Sequence, residues 1–400
     1  MLSKPLLSVL LPAVLCCLPL RAERRFVSSA QELNAVLSEL APGDELVWRD
    51  GSYDAQKVKL SASGAEGRPI VLRAEHPGAV EFTGASSISL DGSWLVAEGF
   101  AFRRLDNSVK NTPLVFAKGS THCRISDCLI DGRGSAESSV DSKWVSLYGQ
   151  DHEVSHCSFL DKRNMGALLV VWMEKDVVPA HRIEGNHFTR PFTILDERGR
   201  PRNGQEGIRI GTSPFWKQDG NCVIRGNYFY HCDGEKAETI SVKCCANTVE
   251  GNALENSAGT VTLRHAHRCT VRDNVIVSDG DKEHGGIRIG GEGHLVEGNT
   301  LVGIRGRVYK APISVMNGEP NAPDNGYVPV RGLMLRDNVM IGCAEGIVQG
   351  AARRETMTVK PEGVVLQGNI QLDKDARRTA AALKKLEQIK SHAGVRWQYE

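Results

Sequence analysis

The sequence predicts an all-β, single-domain right-handed parallel β-helix, and three observations carry that prediction. First, a six-residue box recurs: apolar, polar, small or polar, Asn, any residue, apolar. Examples are Ile183-Glu184-Gly185-Asn186-His187-Phe188 and Ile224-Arg225-Gly226-Asn227-Tyr228-Phe229. Second, the copies at Asn227, Asn252, Asn274 and Asn299 are 25, 22 and 25 residues apart, a period that marks a solenoid. Third, the segments between boxes are short, β-branched and bounded by Gly and Asn, so they are strands rather than helices. Coils of this kind stack at ~4.8 Å. Two early copies carry Cys128 and Cys157 at the Asn position, and later copies run from Leu335 to Met340 and, degenerately, from Leu366. An Asn at one turn position suits a left-handed backbone and side-chain stacking from coil to coil.

The elements follow in order. Residues 1–22 hold Lys4 and then a mostly apolar run, the pattern of a secretory leader cut near Ala22. The mature chain, 23–400, is expected to be secreted or periplasmic. Ser28 to Leu40 has helical periodicity, with Ser29 and Glu32 spaced as a capping box, and suits a plug on the open end of the core. A tail from about Asp375 to Ser391 reads as an amphipathic helix. No shift in composition divides the chain.

Net charge is +1, which excludes a nonspecific polyanion binder and leaves only local anion recognition. Neither nucleic acid nor membrane is an expected partner. Nine cysteines follow the leader without a CxxC pair, so a zinc site is not expected. They suit small core fillers, with a disulfide from Cys244 or Cys245 left open.

Four strands each place one long cation on the polar face: Arg209, Lys243, Arg264 and Arg288. Separations of 21 residues (Lys243 to Arg264) and 24 (Arg264 to Arg288) are one coil each, which predicts a single basic column. Stacked cations without interleaved acids depress the pKa of a lysine, the member that can lose its proton. Such a lysine can act as a general base. The column suits an extended anionic sugar polymer. A uronate C5 proton becomes removable when its carboxylate is neutralised and the developing charge is stabilised. Loss of O4 then completes a β-elimination.

These residues resemble a known family. Asn203 to Ser213, Cys232-Asp-Gly-Glu235, Glu238 to Lys243, Leu263-Arg-His265, Gly285 to Gly290 and Met316 to Tyr327 are similar to polysaccharide lyase family 6, over residues 26 to 345. That family contains alginate lyases and chondroitinase B, and its fold is a parallel β-helix. The resemblance implies Lys243 as Brønsted base and Arg264 in the acid position, where an arginine's pKa favours charge stabilisation over proton donation. It implies substrate contacts from His265 and Arg288. His265 reads equally as structural, and His294 reads as structural. Arg209 is added from stacking alone. Calcium in this family is held by an Asn and two Glu residues, which maps onto Asn203, Glu235 and Glu238. The family's Glu-x-Glu is one residue longer here, Glu235-Lys236-Ala237-Glu238. Either a bulge lets Glu235 reach the ion, or Lys236 takes its place beside the substrate carboxylate. The expected activity is an alginate lyase, and Met316 to Tyr327 tips the choice away from dermatan sulfate. A C5 epimerase, which returns the proton, and a noncatalytic polysaccharide-binding solenoid are the alternatives from other classes.

Overall fold

The computed structural model describes residues 22–397. Apart from Ala22, the expected leader lies outside the described residues. The chain winds through three parallel sheets of 13, 11 and 12 strands. One coil is Val223–Arg225 in the first sheet, Tyr228–Cys232 in the third and Ile240–Val242 in the second, before the next first-sheet strand, Thr248–Glu250. Each strand bonds its counterpart one coil away, in register.

Stacking in register explains the core. Phe159, Phe188 and Phe229 follow one another on successive coils with ring centroids 5.1 and 4.9 Å apart. The boxed asparagines form a second ladder at the turn from the first sheet to the third. The Asn252 amide oxygen accepts from the Asn227 backbone N–H and from its side-chain Nδ2, both at 3.0 Å. Its own Nδ2 donates to the Ile224 carbonyl (2.9 Å) and to Asn274 Oδ1 (3.0 Å). The pattern continues from Asn186 to Asn369. Each boxed Asn stacks as expected, but the left-handed residue is the one before it: Gly226 has φ +62°, Asp273 +57° and Asp337 +55°. The Asn keeps ordinary backbone and directs its amide inward.

A shorter ladder at the turn into the first sheet uses histidine in the same way. The Cys222 N–H donates to Asn247 Oδ1 (2.9 Å), whereas the Cys269 N–H donates to His294 Nδ1 (3.1 Å). With Nε2 donating to the Gly290 carbonyl (3.0 Å), His294 is held as one neutral tautomer. Burial pushes it down to about 4, and His152, in the same role, down to about 3.

The N-terminal end is closed as the sequence anticipated, whereas the C-terminal helix packs on the side of the stack and leaves the last first-sheet strand, Val365–Gln367, exposed. The helix Ala30–Val36 starts on Ser29, whose hydroxyl accepts from the Glu32 N–H, and the Glu32 carboxylate returns to the Ser28 N–H. Leu33, fully buried, plugs the core. The helix Ala376–His392 lies across the third sheet, with Ala382 and Leu386 packed on Tyr228, Ala253 and Val275. Beyond it the chain turns back along the solenoid. Arg396 pairs with Asp127, and the Trp397 indole N–H reaches the Asp127 carbonyl at 2.8 Å. Gly78 meets the Trp397 ring so closely that a Cβ there would lie 2.5 Å from it. The cysteines from Cys123 to Cys343 are all unpaired, so no disulfide forms among the described residues, and Cys244 and Cys245 pack in the interior.

Two predictions follow from the ladders. Asn252→Ala strands buried donors and costs about 1–3 kcal/mol, whereas Asn369→Ala, at the half-buried end, costs less; denaturant midpoints check the order. For His294, a folded pKa below the unfolded value means stability is lost as pH falls from about 6.5 to about 4. His294→Asn preserves the acceptor and flattens the melting temperature over that window.

Candidate functional site

The second sheet carries the site on its outer face. Register places the four predicted cations in two rows rather than one column. Arg209 pairs with Ser241, Ser241 with Thr262, and Thr262 with Arg288. Lys243 and Arg264 lie two residues further on: the Lys243 N–H bonds Ile210 O, and the Arg264 N–H bonds Val242 O. Similar spacing in sequence concealed this offset, because the turn before His284–Ile289 is longer than the one before Gly259–Leu263 and the strand register shifts there. Lys243 and Arg264 therefore sit on adjacent coils of one row, with Arg288 beside them.

Acids also interleave, contrary to expectation. Lys243 Nζ lies 3.3 Å from Glu206 Oε1. Glu238 Oε1 accepts from Arg288 Nη2 at 2.6 Å and from Arg264 Nη1 at 3.2 Å. Glu206 was not anticipated; only its place next to Gly207, one residue before the strand Ile208–Ile210, hinted at it. Glu206, Glu235 and Glu238 are all buried, and one oxygen of each lies within 4.8 Å of the others. The extra residue between Glu235 and Glu238 is absorbed at Lys236, which has a φ of +54°, and both carboxylates converge with Glu206. Lys236 makes no ion pair with the trio. Its charge lies nearer Asp233, whose pKa burial raises against it, and Asp281, whose pKa is lowered chiefly by the Glu283 N–H. Asn203 is exposed on the preceding loop, and Glu206 supplies the third convergent oxygen.

Electrostatics divide the trio. Burial alone would raise Glu238, but Arg288, Arg264 and Lys243 outweigh it and hold its pKa at about 2. Glu235 has no such cluster. Burial, then Glu206 and Glu238, push it up to about 8. Burial works against the Arg264 guanidinium, but Glu238 and Tyr327 hold its pKa above the ordinary arginine value. Burial, with Arg264 and Lys243 nearby, pushes His265 down to about 4. Neither His265 ring nitrogen makes a well-formed hydrogen bond, although the Gly326 backbone lies beside it.

Residues distant in sequence complete the walls. The segment after Met316 folds over Arg264, whose Nη2 meets the Asn325 carbonyl at 3.3 Å and whose guanidinium faces the Tyr327 ring at 5.3 Å. Glu319 anchors the segment by accepting from the Tyr327 N–H and the Thr356 hydroxyl. Arg353 donates to Tyr327 Oη at 3.0 Å and faces Tyr309, which also faces Arg288. Among the described residues, fourteen buried side-chain polar atoms lack a partner, and half of them belong to Glu206, Arg209, Arg264, His265 and Arg288. Native interiors tolerate few such atoms, so their concentration marks a place built for a ligand.

Residues 27–385 match the chondroitinase B family. The solved structure of the family 6 alginate lyase AlyGC superposes with a TM-score of 0.79 at 28% identity, covering 88% of this chain and 50% of that one. This chain thus spans half the length of AlyGC. A mannuronic-acid-specific family 6 lyase from human gut microbiota superposes at 0.78 over 94% of this chain and 97% of that one; at 24% identity it speaks for the fold. No curated protein matches. A match over nearly the whole solenoid, on the fold the repeats predict, is decisive: the chain belongs to the chondroitinase B family, the polysaccharide lyases of family 6.

Proposed function

We propose that this protein is an exported alginate lyase that cleaves by β-elimination. The observation that carries the reading is the placement of Lys243 and Arg264 on adjacent coils beside three buried carboxylates. The likeness to AlyGC supports alginate as substrate. The leader-like residues 1–22 support export.

Lys243, as the free amine, takes the C5 proton of a bound uronate, and Glu206 at 3.3 Å stabilises the ammonium formed. The C5–H electron pair becomes the C4–C5 double bond as the C4–O4 bond breaks. Arg264 stays charged and stabilises the carboxylate as it gains enolate character, with Arg288 behind it holding Glu238 in place. The departing O4 takes its proton from water or a neighbouring group. His265, neutral above its lowered pKa, can bond a sugar hydroxyl through either ring nitrogen.

Glu206, Glu235 and Glu238 suit a calcium ion. They offer convergent hard oxygens, one of which, Glu206 Oε2, has no partner, and Glu235 resists ionisation without a counter-charge. Bound there, calcium would neutralise the substrate carboxylate. The bulge at Lys236 favours this over the lysine substitute. Dermatan sulfate is the second reading, because the matched family is that of chondroitinase B.

Ultraviolet absorbance of unsaturated uronate is expected to rise on alginate and not on dermatan sulfate. It should fall about a thousandfold in Lys243→Ala, vanish in EDTA and return with calcium. No rise on alginate refutes the assignment, and full activity in EDTA removes the metal from it. Glu235 gives a second check. Its folded pKa lies above the unfolded value, so in EDTA its contribution to stability is present below about pH 4.5 and lost as pH rises toward 8. Glu235→Gln should abolish that decline in melting temperature, and calcium should reverse it in the wild type.

A further inference from the structure

The row that holds Lys243 and Arg264 continues toward the N-terminal coils. Main-chain bonds from Tyr148 to Phe116 O, Trp172 to Leu147 O, Gly211 to Val171 O and Lys243 to Ile210 O place Tyr148, Trp172, Gly211 and Lys243 on consecutive coils. Tyr148 and Trp172 are half-buried and stacked, with ring centroids 5.7 Å apart and planes within 8°. Gly211, between Trp172 and Lys243, is itself buried and adds no side chain to the row.

Cations flank the rings. Lys118 Nζ lies 5.6 Å from the Tyr148 ring, and Lys143 Nζ and the Arg209 guanidinium lie 5.9 and 5.4 Å from the Trp172 ring. Lys143 also meets Asp141 at 2.5 Å, but Lys118 is exposed and buried Arg209 Nε has no partner. The Trp172 indole N–H is held by Ser146 Oγ at 3.1 Å, which fixes the ring. None of these groups takes part in the elimination.

We infer that Tyr148 and Trp172, with Lys118, Lys143 and Arg209, form a remote subsite that binds further uronate residues of the polymer whose cleavage is proposed above, and the inference rests on that reading. Pyranose rings carry apolar C–H faces that stack on aromatic rings, while their carboxylates seek cations at the ring edge. The coil spacing of ~4.8 Å is close to the length of one 1,4-linked pyranose. Each coil in the row then faces about one sugar, and Trp172 meets a sugar roughly 10 Å, or two coils, from Lys243. Tyr148 meets the next one out. The subsite makes the enzyme favour long chains.

The test is kcat/KM over a series of alginate oligosaccharides from trisaccharide to octasaccharide. Trp172→Ala should leave the shortest cleaved member within about twofold and lower the longest about tenfold. Tyr148→Ala should show the same deficit with its onset one sugar later, and Lys118→Gln should weaken the salt dependence of polymer KM. Equal loss at all lengths, or loss at none, overturns the subsite. Titration of the longest oligosaccharide into Lys243→Ala, with and without Trp172→Ala, reads affinity apart from turnover, and unchanged affinity also overturns it. Absence of any turnover by the wild type overturns the lyase reading and the subsite with it.

Discussion

Everything in this molecule depends on lateral registry between coils. A parallel coil contributes only a few residues to each sheet, and its backbone groups are satisfied only by the coils on either side. The asparagine ladder enforces that registry where sheet hydrogen bonds are interrupted, because each amide ties one turn to the next through both side chain and main chain. A slip of one residue would turn the core face outward. The same registry brings Lys243 and Arg264 side by side, although no bond joins them.

Charge balance is the second constraint. Arg288 is fully buried and Glu238 nearly so, and a buried ion of either sign is costly without its partner. Three cations gather around Glu238 and keep it ionised, which leaves Glu235 with too little compensation for its burial and its neighbouring acids. Fold and chemistry meet here: the pair that is satisfied holds the scaffold together, and the group that is not creates demand for a cation.

Much of this was legible in the sequence. The period and the boxed Asn specify the solenoid, because identical turns stack identically, and the alternation within each strand tells which side a cation occupies. Spacing failed where loops vary in length. Arg209 and Arg288 share one row, and Lys243 and Arg264 another, because strands are counted from their first paired residue and not from the preceding Asn. Glu206 was hidden since nothing local distinguishes an inward acid from a solvated one. Tyr309, Tyr327 and Arg353 reach the site from later coils and loops, contacts that no periodicity encodes. The left-handed residue was misplaced by one, because the Asn draws attention while the Gly or Asp before it makes the bend.

The strap from Asp375 to Trp397 changes how such a stack can break. A solenoid joined only through neighbouring coils cracks at its weakest interface, and the halves part with little effect on each other. Here the helix grips coils around Tyr228 and Val275, and the residues after it grip Asp127 and Gly78. A crack opening between those points must also peel the strap away. Fracture of any one interface is thereby made a shared event, and the middle coils, which carry the acids and cations, lie inside the splinted length.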